Sequence, residues 1–279
     1  MAGPFGSIPF GRLVAGVLRA RWARIGPTRT VTIDVPAAGG PAELWQVEMH
    51  PGGASVGIDS TGEGVVQGTI AYNMDGLKPV VTVAERSVRI HQDFAGVQRR
   101  RMRNEWRLRL GRGVPMSLKV YAGVSRNDWD LGGLSLRRLD WVQGIGRAAV
   151  TFSEPNPEPL ERVTITGATA ALTVRGLANA NLDLARVYAG LGAITLVFDG
   201  RARRDAGVVV NGGVSSIAIG SGGNPVRVVL ESEATTIDGS AWSRSGNVYS
   251  SPECDGATGP KVTVRARLGL SALRLMTGG

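Results

Sequence analysis

From residue 122 onward a glycine returns at a nearly fixed interval, and a short alternating apolar run follows it each time. Ala-Gly-Val-Ser (122–125) leads to Trp129-Asp130-Leu131, and Gln-Gly-Ile-Gly (143–146) leads to Val150-Thr151-Phe152. Thr-Gly-Ala-Thr (166–169), Ala-Gly-Leu-Gly (189–192) and Asn-Gly-Gly-Val (211–214) lead in the same way to Leu172-Thr173-Val174, Leu196-Val197-Phe198 and Ile217-Ala218-Ile219. Aligned on Gly123, Gly144, Gly167, Gly190 and Gly212, the copies step by 21, 23, 23 and 22 residues. A degenerate copy surrounds Gly239, and a last one covers residues 268–275.

A unit this short cannot bury its apolar side alone, so a constant period means stacked units that close a core between them. Inside each copy the apolar positions alternate with period 2, which is the periodicity of a strand and not of a helix. The expected fold is therefore all-β. It has a β-solenoid of period about 22 over residues 99–279, roughly seven coils whose strands pair at a spacing of ~4.8 Å. Glycine is 40 of 279 residues, about twice average usage, as many tight turns and close backbone approaches require.

Upstream, residues 28–98 read as a small β-domain of half-buried strands. Val31, Ile33 and Val35 alternate with polar residues, as do Trp45, Val47 and Met49, Val81 with Val83, and Val88 with Ile90. Trp106, Leu108 and Leu110 continue the pattern beyond the Arg99-Arg100-Arg101-Met102-Arg103 run, which reads as a junction between the two β regions. Residues 1–27 differ. Phe10, Leu13, Val14, Val17, Leu18, Trp22 and Ile25 fall at helical spacing, Arg12, Arg19, Arg21 and Arg24 lie mostly opposite, and Gly26-Pro27 ends the pattern. A short amphipathic helix is expected there. It can cap the open end of a solenoid or dock on the first β-domain. A basic amphipathic helix can also lie in an anionic membrane surface.

The chain carries 32 Lys plus Arg against 23 Asp plus Glu, and all but Lys78, Lys119 and Lys261 of the basic residues are arginine. Such a balance suits phosphate-bearing partners and equally reflects a compositional habit. No aromatic stacking motif accompanies it, which argues against nucleic acid. Cys254 is the only cysteine, so no disulfide forms within the chain and no Cys-based zinc site is available. With only His50 and His91, histidine-rich metal sites and His-based triads are hard to assemble. No run reaches the ~20 apolar residues of a membrane span, and the six-residue apolar stretch 13–18 between Arg12 and Arg19 is too short for a signal peptide. A cytoplasmic location follows as the expectation, peripheral at the inner membrane face if the N-terminal helix binds lipid.

Several motifs match chemistry on paper only. Gly53-Ala54-Ser55-Val56-Gly57 fits G-x-S-x-G, but a nucleophile elbow needs a helix next, and Ile58-Asp59-Ser60-Thr61-Gly62 is not helical. Gly144-Ile145-Gly146-Arg147-Ala148-Ala149 fits a dinucleotide fingerprint, yet it is followed by a strand and sits in phase with the repeat. Asp128 with Asp130, and Asp238 with Glu253, are carboxylate pairs that nothing in the sequence brings into a cleft. Trp129, Trp141 and Trp242 would form a sugar-stacking platform if exposed, but a lone Trp in a β-repeat is by default core. No catalytic residue, cofactor site or metal site is expected.

Beyond these patterns, Asn104-Glu105-Trp106, Leu108-Arg109-Leu110, Val114-Pro115 and Asp130-Leu131-Gly132-Gly133-Leu134-Ser135-Leu136 resemble the bacterial toast-rack family. Phe152 through Asn156-Pro157, Gly176-Leu177-Ala178-Asn179-Ala180, Phe198-Asp199-Gly200 and Val226-Arg227-Val228 complete the resemblance. Asn73, Lys78-Pro79-Val80 and Ile90-His91-Gln92 are similar to the domain that precedes the rack. The resemblance implies a rack-like stack of strands and kinship with the C-terminal domain of envelope-stress regulators of the Lia type. It brings no catalytic residues.

The function expected is a non-enzymatic interaction scaffold linked to the bacterial envelope or its stress response, with a protein partner or self-association. Arg12, Arg19, Trp22, Arg24, Arg99, Arg100, Arg101 and Arg103 are the candidate membrane or partner contacts. The alternative is a polysaccharide-binding or carbohydrate-active β-helix, which requires the three tryptophans on a solvent-facing side.

Overall fold

The computed structural model describes residues 25–37, 43–92, 101–232 and 235–278. The expected N-terminal helix, with Arg12, Arg19, Trp22 and Arg24, lies outside the described residues, as do Arg99 and Arg100. In chain order the strands are β1 (Arg29–Val35), β2 (Trp45–His50), β3 (Ser55–Gly62), β4 (Val66–Tyr72), β5 (Val80–Ala84) and β6 (Ser87–His91). Next come β7 (Asn104–Gly111), β8 (Met116–Asp130), β9 (Leu136–Thr151), β10 (Leu160–Arg175), β11 (Leu182–Val197) and β12 (Ala206–Gly220). The last are β13 (Val226–Leu230), β14 (Thr235–Asp238), β15 (Ser243–Ser245), β16 (Val248–Ser250), β17 (Val262–Leu268) and β18 (Ser271–Met276). The fold is all-β and solenoid-like.

The long strands β8 to β12 pair in parallel, each with the next. Each changes phase once along its length. In β8, Leu118, Val120 and Ala122 are buried, Gly123 and Val124 both face outward, and Ser125, Asn127 and Trp129 are buried again. A one-residue slip would normally turn the apolar set to solvent. Here the slip coincides with a corner, so both limbs of the strand keep their apolar side on the core. The first limb stacks Val120, Trp141, Ile165, Val187, Val210 and Ala266 in register, all buried. The second stacks Trp129, Val150, Val174, Leu196, Ile219 and Leu275. Loops close the third side.

The glycine repeat marks this corner, with a correction of one residue at two places. Gly167 pairs with Gln143 and Ala189, and Gly212 pairs with Ala189. The outward row at the corner therefore consists of Gly123, Gly144, Ala168, Gly190, Gly213 and Gly269. The coils differ in length by up to three residues, from 21 between Val120 and Trp141 to 24 between Trp141 and Ile165, and an alignment on glycine alone passes over Ala168. The row is tight along the stack. A Cβ on Gly144 would stand 2.7 Å from the Gly123 carbonyl oxygen, and one on Gly190 would stand 2.6 Å from that of Ala168.

The order of the last coils also departs from the order of the sequence. The copy at 268–275 does not end the stack. β17 pairs with β12 on one side and β13 on the other, and β18 lies likewise between β12 and β14. The degenerate copy before Gly239 is thus the outer layer, and the hairpin β15–β16 folds back on β13.

At the other end, β2 and β3 supply the layer before β8. β2 pairs with its first limb and β3 with its second. β6 and then β5 extend the first limb, while β7, β4 and β1 extend the second. One hydrophobic core runs from Ile33 to Leu275. The apolar positions read from the alternation are buried in β2, β6 and β7, as are Ile33 and Val35 of β1. β5 departs from the pattern, because it is an edge strand and Val83 is exposed.

Candidate interaction surfaces

At each corner the residue after the glycine row also points outward. It is Val124 in β8, Ile145 in β9, Thr169 in β10, Leu191 in β11, Val214 in β12 and Leu270 between β17 and β18. Ile145, Leu191 and Val214 are 54–56% exposed and Leu270 is 75% exposed. The register holds Ile145, Thr169, Leu191 and Val214 side by side. An apolar ridge therefore runs along the stack. The glycine row beside it has almost no side chains to shield it. On the other side of that row stand Tyr121, Val142, Thr166 and Tyr188, also in register, with Tyr121 45% exposed. Single exposed apolar residues are ordinary on a protein surface, whereas a contiguous row marks a contact surface. The sequence carried a signal for this row, since Gly-Val, Gly-Ile, Gly-Leu, Gly-Val and Gly-Leu recur at the corner positions.

The outer faces of the limbs are charged at the N-terminal end. On the first limb Arg89, Glu48, Lys119 and Asp140 lie in one register row with alternating sign. Glu48 accepts from His50 at 2.6 Å and from Arg89 at 3.2 Å. Burial pushes its carboxyl up, but these two hydrogen bonds and the charges of Arg89 and His50 outweigh burial and leave it below the ordinary range. His50 in turn lies against Tyr121, with ring centroids 4.7 Å apart. On the second limb Glu105, Arg107, Arg126, Asp128 and Arg147 surround a shallow hollow whose floor includes Gly57, Ala149 and Ala171.

The loop side is built from turn residues that satisfy the backbone. Asp130 Oδ1 accepts from the Gly132 amide at 3.0 Å and the Ser153 amide at 3.2 Å, and Oδ2 accepts from Ser153 Oγ at 2.5 Å. Asp199 receives the Gly176 amide in the same manner. Asn179 and Asn224 donate to the Phe152 and Phe198 carbonyls. Arg112 closes the side with a bidentate pair to Glu154 at 2.9 and 3.1 Å. Inside, Gln92 bonds to Leu77 O, Asn104 and Trp106, and Gln143 bonds to Asn127, Ser125 and Trp141.

The other residues singled out from sequence take structural places. Ser55 opens β3, and Gly144 to Ala149 lie within β9. Asp130 is committed to its turn, Asp238 faces Arg274 at 3.8 Å, and Glu253 accepts from Ser221. Trp129, Trp141 and Trp242 are 1%, 1% and 5% exposed, and the first two rings pack at 4.2 Å between centroids. The sugar-stacking platform is therefore overturned, because the side chains that would form it fill the core. Arg101 and Arg103 are exposed at the surface. Asn73 anchors both, donating to Arg101 O at 2.8 Å and accepting from the Arg103 amide at 2.7 Å, while the Arg103 guanidinium reaches Glu105 at 3.1 Å. No helix among the described residues is long and apolar enough to cross a membrane.

Parallel bent strands stacked in register, with a corner row of glycine and a loop side of Asp and Asn turns, define a rack-type β-solenoid. Residues 24–175 match the model of the N-terminal domain of toast_rack, DUF2154, and the chain belongs to the toast-rack family. Among solved structures it is similar to a candidate cell adhesion protein from Clostridium sporogenes, at 16% identity and a TM-score of 0.45 over 90% of this chain and 99% of that one. It is also similar to a candidate adhesin from Bacteroides fragilis, at 14% identity and a TM-score of 0.33 over 90% and 97%. No curated protein matches the chain.

Proposed function

We propose that this protein is a non-enzymatic interaction scaffold of the bacterial envelope and that a protein partner docks along the corner ridge. The observation that carries the reading is the in-register row of Ile145, Leu191 and Val214, more than half exposed on a sheet whose other outward positions are mostly polar or small. Covering such a row removes apolar surface from water without any rearrangement of the stack. Membership of the toast-rack family supports the envelope link, through the kinship with Lia-type regulators that the resemblance implies.

The test is site-specific photocrosslinking in cells. A photoreactive residue at Leu191 is expected to give a discrete crosslinked product, and one at Thr195 on the second limb is expected to give none. If Leu191 yields no product and the purified chain stays monomeric at high concentration, the reading fails. The envelope link has its own test. Sedimentation with anionic and neutral vesicles at low and high salt compares the full chain with one beginning at Thr28. Salt-sensitive binding to anionic vesicles that depends on residues 1–27 supports it. Equal failure of both chains removes lipid contact by this segment.

A further inference from the structure

Arg126 of β8 and Arg147 of β9 stand opposite each other on the outer face of the second limb. Like charges at directly opposed positions of neighbouring strands repel. Several other surface arginines are neutralised, as in Arg112 with Glu154, Arg137 with Glu158 and Arg267 with Glu231, and Arg138, which stands opposite Arg162, has Glu161 at 3.5 Å. Neither the Arg126 nor the Arg147 guanidinium has a hydrogen bond or ion pair among the described residues. Their in-register neighbours, Ser55 on β3 and Ala171 on β10, carry no charge. Both arginines border the hollow floored by Gly57, Ala149 and Ala171, where bare backbone and methyl groups leave room above the sheet. Arg107 and Thr173 also border it. Of its two carboxylates, Glu105 is already engaged by Arg103 at 3.1 Å, which leaves Asp128 as the free acid.

We propose that Arg126 and Arg147 together bind a tetrahedral oxyanion, a phosphate or sulfate group. The two guanidiniums rise from strands ~4.8 Å apart, so they meet different edges of one group. A carboxylate offers one two-oxygen edge for a bidentate contact, whereas a tetrahedral oxyanion offers several and gives each of the two forks its own. Asp128 stands two residues from Arg126 on the same face and weakens the site by like-charge repulsion with the ligand. Arg126 and Arg147 stand two residues beyond Val124 and Ile145 of the corner ridge, and the proposal does not rest on a partner at that ridge.

Isothermal titration of the full chain with inorganic phosphate and with sulfate, at ionic strength held constant by sodium chloride, tests the proposal. Saturable binding is expected. R126Q and R147Q should each weaken it at least tenfold, and D128N should strengthen it severalfold. R265Q, which removes an unpaired arginine from the first limb, should leave it unchanged. A response to phosphate and sulfate no larger than that to chloride overturns the proposal, and so does a loss in R265Q equal to that in R126Q. Thermal unfolding of each variant separates lost binding from lost fold. Vesicles containing phosphatidic acid identify the source of the group. Pelleting that is abolished by R126Q and R147Q places the phosphate on a lipid, and an intact titration without pelleting assigns a free ion.

Discussion

Gly192 and Gly123 belong to the same corner, yet a methyl group would affect them in opposite ways. Gly192 has φ +135°, and a Cβ there would run into the Ala170 carbonyl, so Gly192→Ala combines backbone strain with a clash against the neighbouring coil. A loss on the order of 3 kcal/mol is expected. A Cβ on Gly123 meets nothing within 4 Å, and Gly123→Ala should change stability by less than about 0.5 kcal/mol. Urea unfolding of the two variants checks the contrast. Asp130 makes a second residue-scale prediction. Burial pushes its carboxyl up, but the hydrogen bonds from Ser153 and Gly132 and the charge of Arg112 prevail and hold it below its ordinary value of 3.8. A carboxyl lowered by folding stabilises the native state fully above its unfolded value, and that stabilisation is lost as pH falls through the lowered one. Asp130→Asn should therefore cost most at neutral pH, and its deficit should shrink progressively below pH 3.8. Unfolding curves of both proteins between pH 7 and pH 2 measure this, and a deficit that stays constant over that range contradicts it.

Strands were readable from sequence because alternation is a local property. Trp45, Val47 and Met49, or Trp106, Leu108 and Leu110, need only one buried face to show themselves, and all six are buried. The neighbour of a strand in the stack is a different matter. Val262, Val264, Ala266 and Leu268 of β17 would fill the end of the rack as well as its interior, so nothing local announces that β17 and β18 lie between β12 and the β13–β14 layer. The same limit hid the ridge, since Leu191 and Ile194 look alike until the corner shows that one faces water and the other the core. The family-like stretches, by contrast, fall mainly on the loop side and on the buried hydrogen-bonded groups. Asp130, Asn179 and Asp199 hold turns, and Gln92, Asn104 and Trp106 form one cluster. They identify the fold because they build it, and they carry no information about a partner. The insertion has a measurable consequence. Removing residues 262–279 deprives both β12 and the outer layer of their partner at once. In a stack whose layers contact only their neighbours, hydrogen exchange should lose protection in β12, β13 and β14 while β8 to β10 keep theirs. Equal loss in β8 to β10 would mean that the rack unfolds as one unit.

A parallel stack has an end by construction, and every end presents unpaired backbone to the end of another copy. At the C-terminal end of this molecule β14 spans only Thr235–Asp238, too short to template a long pairing. On the first limb the antiparallel hairpin β15–β16 occupies the free side of β13, with Val228 opposite Tyr249, and leaves the three exposed residues of β15 as the edge. Trp242 and Tyr249, each 5% exposed, extend the core beneath this cover, and the Arg244 guanidinium lies 5.4 Å from the Tyr249 ring centre. The hairpin thus ends the stack in two ways, by covering the apolar end and by leaving as its edge a strand of only three residues, too short to template a long pairing. Replacing residues 243–250 with a short Gly-Ser linker should expose the β13 backbone without touching the layers behind it. Sedimentation velocity of that variant should show species that grow with protein concentration, unlike the parent chain at the same concentrations. Introducing Lys in place of Val229, whose side chain faces away from the core, should suppress that growth by placing a charge on the freed edge strand. If the linker variant sediments like the parent, the end is protected by strand length alone and the hairpin serves only to seal the core.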